Sequence, residues 1–113
     1  MEWLFETKDR DGITVRMSKA TYDKHLPIHP EIAHYVQEAK LTIQEPEVVV
    51  RDDDGCHHHH RLGLGRGKHK GCYLRVLVNY HGRGKRKYGI VASYWMSRNI
   101  CPHGEVIWVS KSK

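Results

Sequence analysis

The sequence predicts an α+β fold, with an N-terminal hairpin and two helices packed on one face of a roughly four-stranded antiparallel sheet. Two short strand-like segments come first, at residues 2–7 and 13–17. Apolar residues then recur at helical spacing, and residues 73–81 alternate in the way a strand does. At 113 residues the chain is long enough for one modest core, so we predict a single domain over 1–113.

The first two strands are separated by the turn signal Lys8-Asp9-Arg10-Asp11-Gly12, which favours a hairpin. Ser18 or Thr21 could then cap a short helix that runs to about Leu26. Pro27 ends it, because proline disfavours helical geometry in the residue before it.

A second helix is predicted to start at His29-Pro30-Glu31, with proline in the first helical position. Pro46 stops it. One apolar stripe follows this helix, made up of Ile32, Tyr35, Val36, Ala39 and Ile43.

The remaining strands are predicted after this helix. Residues 55–71 contain five glycines without clear periodicity, which predicts a long basic loop rich in Gly and His. Arg75, Asn79 and His81 lie opposite the aliphatic residues of their strand and are expected on an open sheet face. The predicted strands are Val48–Val50, Tyr73–His81, Tyr88–Met96 and Val106–Val109.

Charge is distributed unevenly along the chain. Residues 1–54 carry 7 Lys/Arg and 12 Asp/Glu, whereas residues 55–113 carry 12 Lys/Arg and the single acid Glu105. Such a one-sign stretch is typical of a phosphate-binding face, although it also fits solubilising loops or a surface that docks on an acidic partner. The predicted nucleic-acid-binding residues are Lys24, Arg66, Lys68, Lys70, Arg83, Lys85, Arg86 and Lys87.

A run of potential metal ligands lies in the predicted loop, formed by Cys56, His57, His58, His59 and His60. Thiolate and imidazole can bind zinc, nickel or copper, but adjacent histidines on a flexible loop impose no tetrahedral geometry. We therefore interpret the run as a fortuitous chelator and predict no functional metal and no cofactor. Without paired carboxylates in the basic half, a two-metal nuclease is disfavoured.

The three cysteines follow no CxxC spacing, which disfavours a zinc ribbon and a disulfide framework. No apolar run approaches the roughly 20 residues that cross a bilayer. The polar N-terminal segment does not resemble a secretory signal. We predict a cytoplasmic protein without membrane association.

Two histidines flank the junction between the helices. Imidazole titrates near neutrality, so a histidine held between two elements can transfer a proton at pH 7. For His25 this role and a merely structural one are both open, whereas His29 is expected to cap the second helix.

Several segments of the chain resemble the BECR superfamily, the barnase, EndoU, colicin-type and RelE-like ribonucleases, in its phage and mobile-element members. The resemblance covers about residues 18–96. It rests on Tyr22-Asp23-Lys24-His25, His29-Pro30-Glu31, Thr42-Ile43, Pro46-Glu47-Val48-Val49, the strand from Tyr73 to Val78, and Gly89-Ile90-Val91-Ala92-Ser93-Tyr94.

This resemblance implies an endoribonuclease that needs no metal ion. A base would deprotonate the ribose 2′-hydroxyl, cations would stabilise the phosphorane, and an acid would protonate the leaving oxygen. The matching residues are His25 for proton transfer, Arg75 for the phosphorane, and Ser93 or Tyr94 to position the phosphate.

The sequence thus favours a ribonuclease, as a toxin or a phage-defence effector, acting on an RNA such as tRNA or mRNA. A protein antitoxin or inhibitor would be a further partner. Two alternatives stay open. One is a non-catalytic RNA- or DNA-binding module, and the other is an inhibitor or adaptor with a basic face for an acidic protein.

Overall fold

A computed structural model describes residues 1–110, which form one seven-stranded mixed sheet with helices on one side. The spatial order of the strands is β1-β2-β6-β5-β4-β3-β7. The strands are β1 (Trp3–Lys8), β2 (Thr14–Ser18), β3 (Val48–Arg51), β4 (His57–Arg61), β5 (Tyr73–His81), β6 (Tyr88–Ser97) and β7 (Glu105–Val109).

The prediction of a roughly four-stranded antiparallel sheet is wrong, although the α+β class holds. The N-terminal hairpin joins the sheet, because β2 pairs in parallel with β6 through Val15 and Gly89. A Cβ at position 89 would stand 2.7 Å from Val78 Cγ1 and 3.1 Å from Val15 Cγ2, so glycine permits this close approach.

The prediction of one continuous loop over 55–71 is wrong, because the strand β4 lies within this range. Its residues pair with β3 on one side and with β5 on the other, so both rows of backbone hydrogen bonds are made. This pairing fixes His57–Arg61 as a central strand, even though its sequence lacks the usual apolar residues.

The first helix, α1 (Lys19–His25), agrees with the prediction: the Ser18 hydroxyl accepts a hydrogen bond from the Thr21 amide at 3.0 Å. The predicted second helix is two elements, a 3-10 helix (Pro30–His34) and α2 (Val36–Gln44). Tyr35 separates them because its backbone, at φ −130°, is not helical.

The two faces of the sheet differ in cover. The core face carries the alternate residues of β5 and β6 that pack under the helices, including Leu74, Val76 and Tyr94. The open face carries the intervening residues, including Arg75 of β5 and its cross-strand partner Trp95 of β6.

Candidate functional site

The four histidines of β4 lie on alternate faces of the sheet. His57 and His59 pair with Val78 and Val76 and share their core face, whereas His58 and His60 share the open face with Arg75. His58, His59 and His60 are buried. The histidine run is therefore a structural part of the sheet rather than an exposed chelating loop.

A hydrogen-bonded chain links Asp52, His58 and Arg75. His58 Nε2 lies 2.7 Å from Asp52 Oδ2, and the Arg75 Nε–H donates to His58 Nδ1 at 3.1 Å. Because Nδ1 accepts from a cation, it carries no proton, so the ring is neutral and donates its Nε2–H to the carboxylate. This hydrogen bond from His58 lowers the pKa of Asp52 below its ordinary value.

The turn between β3 and β4 brings Cys56 to the same place. Asp52 Oδ1 accepts hydrogen bonds from the amides of Asp54 and Cys56, each at 2.9 Å, which leaves Oδ2 for His58. The ligand atoms of Asp52, Cys56 and His58 all lie within 4.8 Å of one another. Burial raises the pKa of the Cys56 thiol to about 11.

The segment between β6 and β7 partly covers this part of the open face. The Cys101 amide donates to His60 Nε2 at 3.0 Å, and His60 Nδ1 contacts the Val48 carbonyl at 3.1 Å. His60 is therefore the neutral Nδ1–H tautomer, and burial lowers its pKa to about 4. His60 anchors the covering segment rather than serving as a proton-transfer group.

Farther along the open face, Arg75, Trp95 and His29 form a stack. The Arg75 guanidinium carbon lies 5.0 Å from the centroid of the Trp95 ring, and the His29 ring is nearly parallel to that ring at 5.5 Å. His29 Nδ1 is 3.7 Å from Glu31 Oε2, and about a third of its side chain is exposed. Its side chain makes no capping hydrogen bond, so the predicted capping role is wrong.

The predicted catalytic residues do not form one cluster. Within residues 1–110 the His25 side chain makes no hydrogen bond, ion pair or ring contact, including with Arg75. Ser93 lies buried opposite Leu77, on the same face as Arg75. Tyr94 points to the core face, where its hydroxyl donates to the Ile32 carbonyl at 2.8 Å and burial raises its pKa. Its hydroxyl is thus not placed to hold a phosphate.

The predicted basic residues divide between two loops at opposite ends of β5, apart from the exposed Lys24 in α1. Arg66 is held by Glu38 Oε2 at 2.8 Å, by the His34 carbonyl at 2.7 Å and by stacking over Tyr35. Arg66, His34 and Tyr35 line a cleft of about 500 Å³. The other basic residues of the two loops are exposed: Lys68, Lys70, Arg83, Lys85, Arg86 and Lys87.

Comparison of the chain with protein-family models, with curated proteins and with solved structures found no match. Among residues 1–110, no helix is long and apolar enough to cross a membrane.

The sequence analysis did not assign Asp52 to the cluster with Cys56 and His58. It also did not place His29 and Trp95 beside Arg75. Asp52 precedes Cys56 by four residues in an Asp-rich turn, a spacing that could have indicated a shared ligand cluster. Trp95 could have been assigned to the Arg75 face from the alternation of β6. No local signal predicts that His29 reaches Trp95, because this contact depends on how the helices pack.

Proposed function

We propose that this protein binds RNA on its open face and that the stack of Arg75, Trp95 and His29 is the centre of the interface. The observation that carries the proposal is this stack, which joins a cation to two planar rings on a partly exposed surface. Unpaired bases stack on such rings at roughly 1–3 kcal/mol per base, and arginine adds attraction to the phosphates. RNA with unpaired bases is the ligand class that this chemistry fits best.

The charge of the two loops supports the same ligand. Exposed lysines and arginines lie in the loops at both ends of β5, so a strand bound along β5 could place phosphates near cations at each end. The rival ligand, an acidic protein, would use the same charges but would not require an aromatic stack. A nucleic-acid ligand therefore accounts for more of the surface. Such a protein would act in the cytoplasm.

A second candidate function is metal-independent cleavage of the bound RNA. The observation that favours it is the position of the titratable His29 on the same aromatic ring as the Arg75 cation. His25, four residues earlier at the end of α1, could supply the second proton-transfer group that 2′-hydroxyl attack requires. The activity would suit a toxin or a phage-defence effector acting on tRNA or mRNA, with an acidic antitoxin as its inhibitor.

The binding proposal is tested by replacing Trp95 with Ala and measuring the affinity for fluorescent single-stranded RNA. We expect a loss of about tenfold or more, which corresponds to roughly 1.4 kcal/mol. Trp3→Ala is the matched control, because Trp3 is also exposed and also lies beside an arginine, Arg16, but on β1. Equal affinities for wild type and Trp95→Ala, or equal losses in both variants, would contradict the proposal.

Cleavage is tested by incubating purified protein with total RNA in the presence and absence of EDTA. Fragments that persist in EDTA and end in a 2′,3′-cyclic phosphate would support the second function. If the protein retains the RNA without cleaving it, binding alone is the supported function. If the protein neither retains nor cleaves the RNA, an acidic protein is favoured as its partner.

A further inference from the structure

We propose that Asp52, Cys56 and His58 form a binding site for a zinc ion. This inference stands apart from RNA binding, since it rests on a different cluster of side chains. The three residues place a carboxylate oxygen, a thiol sulfur and an imidazole nitrogen within 4.8 Å of one another. These are the donor types that zinc takes in proteins, and three protein ligands leave a fourth tetrahedral position for water.

The local fold holds the ligands in advance of the ion. The Asp52 amide donates to the Cys56 carbonyl at 2.9 Å, and the Cys56 amide returns a bond to Asp52 Oδ1 at 2.9 Å. This double link fixes the distance between the first two ligands. β4 then directs His58 to the same side, two residues beyond Cys56. The remaining carboxylate oxygen, Oδ2, accepts the His58 Nε2–H at 2.7 Å, and an ion bound through Nε2 would take the place of that proton.

Burial distinguishes this cluster from a chance grouping of exposed side chains. Cys56 and His58 are 8% and 5% exposed, and Asp52 is only partly exposed at the turn. Cys101 from the covering segment is also buried. The mixed sulfur, nitrogen and oxygen donors favour zinc over magnesium or calcium, which prefer oxygen ligands.

Zinc binding requires Arg75 to leave His58. A neutral imidazole that binds the ion through Nε2 carries its proton on Nδ1, which then faces the Arg75 Nε–H as a second donor. If the ion binds Nδ1 instead, it occupies the lone pair that Arg75 uses at 3.1 Å. In both cases the hydrogen bond is lost, so metal occupancy frees the Arg75 Nε–H.

The test is a titration of the untagged, metal-stripped full chain with Co²⁺, which takes zinc sites and reports its ligands by absorption. We expect one equivalent to produce a thiolate-to-cobalt charge-transfer band that added zinc abolishes. Cys56→Ser should remove the band, whereas Cys72→Ser should keep it, because Cys72 is a buried cysteine of the core cluster. His58→Asn should weaken binding at least about tenfold, while His57→Asn, on the core face, should not.

Circular dichroism confirms that each variant is folded. If Cys56→Ser does not fold, the wild-type spectrum decides the matter. A charge-transfer band that saturates at one equivalent supports the site. A spectrum without thiolate character, or equal losses in Cys56→Ser and Cys72→Ser, overturns it and leaves only adventitious binding to histidines.

Discussion

The guanidinium of Arg75 bonds to His58 Nδ1 through its Nε–H at 3.1 Å while its carbon lies 5.0 Å from the centre of the Trp95 ring. One side chain thus connects the buried His58, with its partner Asp52, to the partly exposed ring of Trp95. Its Nε–H is committed to the imidazole, whereas its terminal amino groups make no hydrogen bond within residues 1–110. Those groups are the ones that could meet a phosphate in bidentate fashion.

We expect Arg75→Ala to lower RNA affinity by about tenfold, because a partly desolvated cation over an aromatic ring and a phosphate contact are lost together. Arg75→Lys should recover only part of the affinity, since lysine lacks the planar fork. Fluorescence anisotropy with single-stranded RNA measures both. Arg16→Ala is the matched control, because Arg16 lies over Trp3 at 5.4 Å on β2 and should leave affinity unchanged. Full affinity in Arg75→Ala would exclude this residue from the interface.

Charge reversal of the loop between β5 and β6 should weaken RNA binding and flatten its dependence on salt. The variant replaces four exposed cations with Glu, namely Arg83, Lys85, Arg86 and Lys87. Each lost phosphate contact should remove roughly 0.7 to 0.9 from the log–log slope. The measurement is the affinity at a series of salt concentrations. A wild-type protein that shows no salt-sensitive retention of RNA would assign the basic surface to a protein partner.

The parts of the fold that could be predicted are those with a local cause. The turn at Asp9–Gly12, the Ser18 cap and the alternation of β5 each act within a few residues. β4 could not be predicted, because histidine has no strong strand preference and its placement depends on pairing with β3 and β5. The parallel contact of β2 with β6 is likewise a pairing between distant segments.

The candidate site residues, like the fold, divide into those that the local sequence predicts and those that depend on contacts between distant segments. Alternation along β5 separates Arg75 from the buried Leu74, Val76 and Val78, so its position on the open face was predictable. Along β6, Ser93 and Tyr94 were selected together although neighbouring strand residues face opposite sides. Trp95, one position later, is the residue that meets Arg75.

His59→Leu should stabilise the protein. His59 is fully buried on the core face, and within residues 1–110 neither ring nitrogen has a hydrogen-bond partner. An unsatisfied buried polar group costs about 1–3 kcal/mol, and leucine of similar size removes that cost. Urea unfolding at pH 7 measures the change. His81→Leu, at an exposed position of β5, is the control and should have little effect. A loss of stability in His59→Leu would show that the imidazole has a role that the packing does not explain.

Acid should destabilise the wild-type protein through protonation of His59 and His60. Burial lowers the pKa of His59 and of His60 to about 4, whereas an unfolded histidine titrates near 6.5. The unfolded state therefore binds protons first, so stability is complete above about pH 6.5 and falls as the pH drops toward 4. Each group contributes about 1.4 kcal/mol per pH unit in that window. Between pH 7.5 and 4.5 the free energy of unfolding should fall steeply with pH for the wild type and less steeply for His59→Leu. The same pH dependence in both proteins would contradict this assignment.

The two histidines at the helix junction should separate catalysis from binding, if the protein cleaves RNA. Within residues 1–110 the His25 side chain makes no hydrogen bond, ion pair or ring contact, and it lies apart from the Trp95 stack, so His25→Ala should leave RNA affinity nearly intact. As a general acid or base it would account for about 100- to 10,000-fold in cleavage rate. His29→Ala should also weaken binding, because it removes a ring stacked on Trp95. Single-turnover rates and affinities, measured on the same RNA, distinguish the two effects. A substrate with a 2′-deoxy residue at the cleaved position should resist both wild type and variants, since the attacking hydroxyl is missing. Cleavage of that substrate, or a full rate in His25→Ala, would show that the mechanism differs from 2′-hydroxyl attack assisted by His25.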